Sequence, residues 1–286
     1  MEQEILLDQI SDDFLISLAL KEDIGKADIT TEAILKGVSD RTVKATLIAK
    51  EDLILAGLEL FEMTFKKIDP EVKIITDIGD EDFCKKGSVI LYLEGKFSSI
   101  LKGERVALNI LQHLSGIATN TYKVVEELKG TKIKILDTRK TIPLWRKWEK
   151  YAVRVGGGYN HRMRLYDMFL IKENHIAVAG SISKAVMLAK NYDPNVKIEV
   201  EVRNFNEVKE AVDTEADIIM LDNMDDSGIK NCVKYIRENS DKNIEVSGNI
   251  TLERIKRLRD IDIDFISMGA LTHSVKAADI SLILEV

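Results

Sequence analysis

The sequence predicts an α/β protein in which a small α+β unit precedes a parallel α/β barrel. Three observations carry this expectation. From about 41 to 100 the apolar residues fall in short β-rich runs broken by Ala56-Gly57, Gly79 and Gly87, as in a small mixed sheet. Beyond Gly130, apolar strands alternate with helical periodicity, the pattern of parallel βαβ units. Most of those strands run straight into polar residues or glycine, and an α/β barrel builds its active site at such C-terminal strand ends. An open dinucleotide-binding sheet is the alternative, but no GxGxxG follows a strand and no P-loop is present.

Taken in order, residues 11–22 read as an amphipathic helix, with Ser11 as N-cap, Asp12 and Asp13 at its positive end, and Phe14, Leu15, Leu18 and Ala19 as its apolar stripe. Strands follow at 43–48, 72–75 and 89–93, and a long helix with Gly116 as a point of bending runs from Gly103 to a stop at Gly130. Barrel strands are expected at 133–136, 168–171, 196–202, 218–221, 244–246 and 265–268. In 198–202 the apolar residues share one face, and Glu199 and Glu201 share the other. Glu201 would therefore point into the barrel near its mouth, and Asp222 ends the next strand.

Between Arg139 and His175 there are nine Lys/Arg against three acids, a local balance of +6 in a chain of net charge −7. A basic island in an acidic protein, threaded by Gly156-Gly157-Gly158, suits a pocket for a small polyanion better than a polymer-binding surface. Two inward carboxylates beside such a pocket suit a magnesium-bound polyphosphate, hard oxygens holding the ion while Arg and Lys hold the phosphates. Cys84 and Cys232 stand far apart without companion ligands, which fits a reducing compartment. The acidic N-terminal stretch has no cationic segment followed by an apolar run, so a cytoplasmic protein with no membrane association is expected.

These residues also form a longer pattern. It runs through Glu22 to Gly25, Asp28 to Thr31, Gly103 to Asn109, Ser115 to Thr119, Thr138 to Thr141, Gly156 to Gly158, Asn160 to Arg162, Leu170 to Lys172 with Asn174-His175, Glu199 to Val202, Leu221 to Asn223 and Leu271 to Ser274. With these motifs in this order, over nearly its whole length, the chain resembles quinolinate phosphoribosyltransferase, the carboxylating nicotinate-nucleotide pyrophosphorylase of NAD biosynthesis. The resemblance implies an N-terminal α/β sandwich over 1–115, an incomplete parallel α/β barrel over 116–273, and a tail at about 274–286 that packs back on the first domain. It also implies a homodimer with shared active sites and leaves further assembly to hexamers open.

The implied reaction joins quinolinate to phosphoribosyl pyrophosphate, releasing pyrophosphate and carbon dioxide and leaving nicotinate mononucleotide, with Mg2+ as cofactor. The residues fit it. Thr138, Arg139, His161, Arg162 and Lys172 would clamp the dicarboxylate, with Arg105 reaching in from the other subunit. Glu201 and Asp222 would hold magnesium or stabilise the ribosyl cation, and Lys140 would neutralise phosphate charge. The 5′-phosphate would rest on Ser247, Gly248 and Asn249 and on Ser267, Gly269 and Ala270, at helix N-termini. His113 and His273 read as packing or capping groups. The sequence departs from the family in Ile142 to Trp145, where a glycine is lost, and at Ala27, Arg164, Glu173 and Asn249, the last replacing a second glycine of the phosphate loop.

Three rivals remain. A non-decarboxylating phosphoribosyltransferase would need one carboxylate clamp instead of two. A Schiff-base aldolase would use Lys140 or Lys172 as nucleophile, but adjacent cations suit phosphate better than a dry, depressed lysine. A nucleic-acid-binding module would use the basic island as a surface, against which the net charge of −7 weighs.

Overall fold

A computed structural model describes residues 10–285 of the 286-residue chain. It forms two compact units, one made of the described residues up to Thr119 together with those from Val275 onward, the other of Asn120–Ser274.

In the first unit, Ser11 caps α1 (Asp12–Ile24) by accepting the Phe14 amide at 3.1 Å. The face that α1 buries differs from the expected stripe. Ile16 and Leu20 are buried, whereas Phe14 and Leu18 are exposed. Apolar residues occur on both sides of this helix, so spacing alone does not choose the packed face. After α2 (Ile29–Leu35), β1 (Thr42–Ala49) pairs antiparallel with β5 (Val89–Lys96), which also pairs with β3 (Lys73–Ile75). β2 (Leu53–Ile54) and β4 (Phe83–Cys84) form a separate antiparallel pair, and α3 (Leu58–Ile68), which lies between them in sequence, contributes Phe61 and Phe65 to the core with Leu47, Leu91 and Leu93. The C-terminal strand β12 (Ile280–Glu285) completes the four-stranded sheet by pairing with the free side of β1. Glycine is needed where this tail meets the long helix α4 (Phe97–Glu127), because a Cβ on Gly116 would stand 2.3 Å from the Lys276 carbonyl oxygen.

The second unit is a parallel sheet of six strands. In spatial order these are β6 (Lys134–Leu136), β11 (Phe265–Ser267), β10 (Asn243–Ser247), β9 (Ile218–Asp222), β8 (Ile198–Val202) and β7 (Phe169–Ile171). Tyr159 adds one parallel bridge to Leu136 beyond β6, and among the described residues β6 and β7 do not pair, so the barrel is incomplete. Helices α5 (Arg146–Val155), α6 (Glu173–Ala179), α7 (Ile182–Tyr192), α8 (Phe205–Val212), α9 (Asp226–Asn239), α10 (Leu252–Leu258) and α11 (Ala270–His273) intervene. Val200, Val202, Ile219, Leu221, Ile244 and Val246 are buried on the sheet face opposite Glu199, Glu201 and Glu245. Each strand thus delivers a polar group to one end: Asp137 after β6, Lys172 after β7, and Glu201, Asp222, Ser247 and Ser267 on the other four. Among the described residues no helix is long and apolar enough to cross a membrane.

Candidate active site

At that end of the barrel lies a cleft of about 630 Å³. Its walls include Thr138, Arg139, Lys140, His161, Arg162, Lys172, Glu201, Asp222, Ser247, Gly248, Asn249, Ser267, Gly269 and Ala270. All the site residues expected from the sequence meet there except Arg105, which belongs to the first unit, on α4, with a side chain 59% exposed. Asn223, Thr251 and His273 also line it. His273, expected to pack or cap, therefore faces the cleft, with Nδ1 2.7 Å from Ser274 Oγ.

The basic island divides into two groups. Four of its cations, Arg139, Lys140, Arg162 and Lys172, line the cleft. Others build the scaffold beneath. Lys150 is fully buried with Asp137, donating to its carboxylate and to the His161 carbonyl at 2.9 Å. Asp137 also accepts from Asn160 Nδ2 at 2.5 Å and from the His161 amide at 2.9 Å. Burial pushes Asp137 above and Lys150 below their ordinary values, against their mutual attraction. Arg146 ties the preceding loop together through Thr141 Oγ1 at 3.0 Å and the Met163 carbonyl at 3.2 Å. In that loop Leu144 takes φ 70°, the left-handed conformation that glycine adopts at less cost.

The cations facing the cleft have unused donors. Among the described residues Nε of Arg139 and Nε of Arg162 are buried without a hydrogen-bond partner, and Arg162 spends Nη1 on the Met168 carbonyl at 2.9 Å. Burial, and after it the adjacent Arg139 charge, lowers Arg162 below the usual guanidinium value. Two adjacent guanidinium groups with buried, unpaired N–H groups make a receptor for a fixed anion. His161 stands beside them. Its Nδ1 accepts the Arg162 amide at 2.7 Å, so the ring hydrogen lies on Nε2 and is donated to Glu199 at 2.9 Å. Burial lowers the His161 pKa, which keeps the ring neutral.

On the opposite wall Glu201 is already engaged: Lys172 Nζ lies 2.5 Å and Arg203 Nη2 3.5 Å from its oxygens. Among the described residues Asp222 accepts only the Asn223 side-chain amide, at 2.7 Å, through Oδ2. Gly248 follows with φ 86°, and a Cβ there would stand 2.3 Å from Asn223 Oδ1. Asn249 sustains φ 49° in place of glycine, which asparagine tolerates better than most residues. The turn is fastened from behind by buried Arg254, which donates to the Gly248 carbonyl at 2.6 Å, to the Met224 carbonyl and to Asp226 at 3.2 Å. Across the cleft, Thr272 Oγ1 donates to the Lys140 carbonyl at 2.7 Å, joining the Gly269 turn to the Lys140 loop.

Asp137, Lys150, Arg254 and Glu245 are not among the site residues expected from the sequence. Glu245 had a signal, a single charge between Ile244 and Val246 in a strand; the partners of Lys150 and Arg254 are visible only in the fold.

Comparison with known proteins points one way. Residues 28–115 match the model of the quinolinate phosphoribosyl transferase N-terminal domain, and 117–283 that of its C-terminal domain. A Bacillus subtilis protein described as probable nicotinate-nucleotide pyrophosphorylase (carboxylating) is 43% identical over 91% of this chain and 89% of its own. The crystal structure of NadC from Streptococcus pyogenes superposes with a TM-score of 0.89 at 44% identity, covering 96% of this chain and 97% of that one. The nicotinate-nucleotide pyrophosphorylase from Francisella tularensis gives 0.90 at 42% identity, with 96% of each chain covered.

Proposed function

The chain belongs to the quinolinate phosphoribosyltransferase family, and on that premise we propose that it converts quinolinate and phosphoribosyl pyrophosphate to nicotinate mononucleotide, pyrophosphate and carbon dioxide. The observation that carries this reading to the cleft is the pair of buried, unpartnered Nε groups on Arg139 and Arg162, set beside Lys140 and Lys172. A planar dicarboxylate supplies the fork acceptors they lack.

The pyridine nitrogen attacks C1′ of the phosphoribosyl group as the bond from C1′ to the pyrophosphate oxygen breaks. Positive charge grows on the ribose ring, and the carboxylates of Glu201 and Asp222 face it. Lys140 offsets charge on the departing pyrophosphate. The Gly248 and Gly269 turns hold the 5′-phosphate with backbone N–H groups. Once the nitrogen is glycosylated, the adjacent carboxylate leaves as carbon dioxide. Its electron pair stays on the ring carbon beside the pyridinium nitrogen, and a proton replaces it. The Lys172 ammonium, held against Glu201, serves charge neutralisation better than imine chemistry.

Magnesium fits this donor set in part. Among the described residues Asp222 has one oxygen without a partner, and a phosphate-bound magnesium needs only one or two carboxylates. Glu201 would have to release Lys172 to join it. The ion would supply charge neutralisation on the pyrophosphate. Arg105 of the partner subunit completes the dicarboxylate clamp in the homodimer we propose, and mixing inactive Arg105→Ala and Lys140→Ala chains should then restore activity; no recovery would sink the shared site. The substrates are soluble anions, and cytoplasm is the compartment that suits them and the two free, buried cysteines. Purified protein given phosphoribosyl pyrophosphate with either quinolinate or nicotinate tests the reaction. Turnover of nicotinate alone would establish the non-decarboxylating alternative instead.

A further inference from the structure

Beneath the cleft floor, His161, Glu199 and Glu245 bring their ligating atoms within 4.8 Å of one another. Nothing in the reaction above uses Glu199 or Glu245. Both carboxyls are buried, and among the described residues Glu199 Oε1, both oxygens of Glu245 and the hydroxyl of Ser267 have no hydrogen-bond partner. So many unsatisfied buried oxygens in one place call for a ligand or a proton. Two ionised carboxylates cannot remain together in such a site.

We infer that Glu245 is a positioning residue, whose carboxyl O–H donates to Glu199 and so keeps Glu199 an anionic acceptor for the His161 Nε2–H. The inference rests on the proposed reaction only in expecting His161 to face substrate. One proton resolves the cluster. The protonated oxygen of Glu245 donates to Glu199, and Glu199 accepts from His161 at 2.9 Å. His161 in turn accepts from the Arg162 amide at 2.7 Å, which fixes the backbone that carries the Arg162 fork. Of the two carboxyls Glu199 keeps the charge, since it is the one that accepts the ring hydrogen of His161. His161 Nε2 is also nearer Glu199 than Glu245, 2.9 Å against 3.8 Å.

The test is the tautomer of His161, read by ¹⁵N NMR of histidine-labelled full-length protein, alongside steady-state kinetics. Wild type should show hydrogen on Nε2. In Glu245→Leu that signature should give way to a mixture, and kcat/KM for quinolinate should fall about tenfold to a hundredfold, the loss of one hydrogen bond to a charged group, with KM for phosphoribosyl pyrophosphate unchanged. Glu245→Gln, whose amide still donates to Glu199, should restore the tautomer and most of the activity, whereas Glu199→Gln should not. If Glu245→Leu does not fold, the contrast between the two glutamine variants decides. Equal damage from both, or tolerance of Glu199→Gln alone, would overturn the assignment. So would a stoichiometric divalent metal in the purified protein that leaves with Glu245→Gln, because the same three donors would then be metal ligands. Failure to turn over quinolinate with the tautomer pattern intact would refute the proposed reaction and leave the positioning role standing.

Discussion

Replacing Lys150 by methionine should unfold more of this protein's stability than its place in a run of basic residues suggests. Lys150 and Asp137 are both 0% exposed. Burial has displaced both toward their neutral forms despite their attraction, so the intact pair contributes little net stability. Breaking it is different. Without Lys150, the Asp137 carboxylate keeps only the Asn160 side-chain amide and the His161 backbone amide, and an uncompensated buried charge costs about 3–5 kcal/mol. That is a large part of the roughly 5–15 kcal/mol that holds a folded domain. Because the same ammonium binds the His161 carbonyl, the loss also frees the segment that carries His161 and Arg162. The assay is guanidinium unfolding at fixed protein concentration for Lys150→Met, Asp137→Leu and the double variant. The double variant should be the more stable of the two chains lacking Lys150, since it buries no lone charge. A cost below about 1 kcal/mol for Lys150→Met, the range of a solvent-exposed pair, would refute the reasoning.

Leu144→Gly should stabilise the chain by up to about 1 kcal/mol in thermal melts, since a left-handed leucine costs roughly 1–2 kcal/mol and glycine returns part of that as unfolded-state entropy. Gly248→Ala combines φ 86° with a contact of 2.3 Å to Asn223 Oδ1; strain of about 1–3 kcal/mol should raise KM for phosphoribosyl pyrophosphate while that for quinolinate holds. Glu245 is raised by burial, and after it by the adjacent Glu199, to about 8, so in the folded state it holds a proton that the unfolded chain releases near pH 4.5. Folding stability from this cluster is fully present below that pH and declines as pH rises toward about 8. Glu245→Gln should flatten the decline in denaturation midpoints measured across that window.

The sequence was most readable where one local rule sufficed. Strand alternation placed Glu201 at the barrel mouth, and Asp222, Ser247 and Gly269 stand at or just beyond their strand ends. Ser11 announces the helix it caps, whereas the helix capped by Asp28 was not expected. What stayed hidden depends on distant partners. Lys150 looks like its solvated neighbours until Asp137, thirteen residues away, meets it in the interior. Arg254 looks like a helix-surface arginine until the Met224 and Gly248 carbonyls converge on it. The buried face of α1 was misread because Ile16 and Leu20 compete with Phe14 and Leu18 on spacing alone, and only the packed core chooses.

The central claim concerns one cleft and one reaction, and carbon dioxide reports on it directly. With quinolinate labelled in the carboxyl adjacent to nitrogen, purified protein, phosphoribosyl pyrophosphate and magnesium should release one labelled carbon dioxide for each nicotinate mononucleotide formed. Arg162→Lys, which keeps the charge and loses the fork, should slow both products together. Nucleotide formed from nicotinate without labelled gas, or no nucleotide from quinolinate at all, would contradict the account.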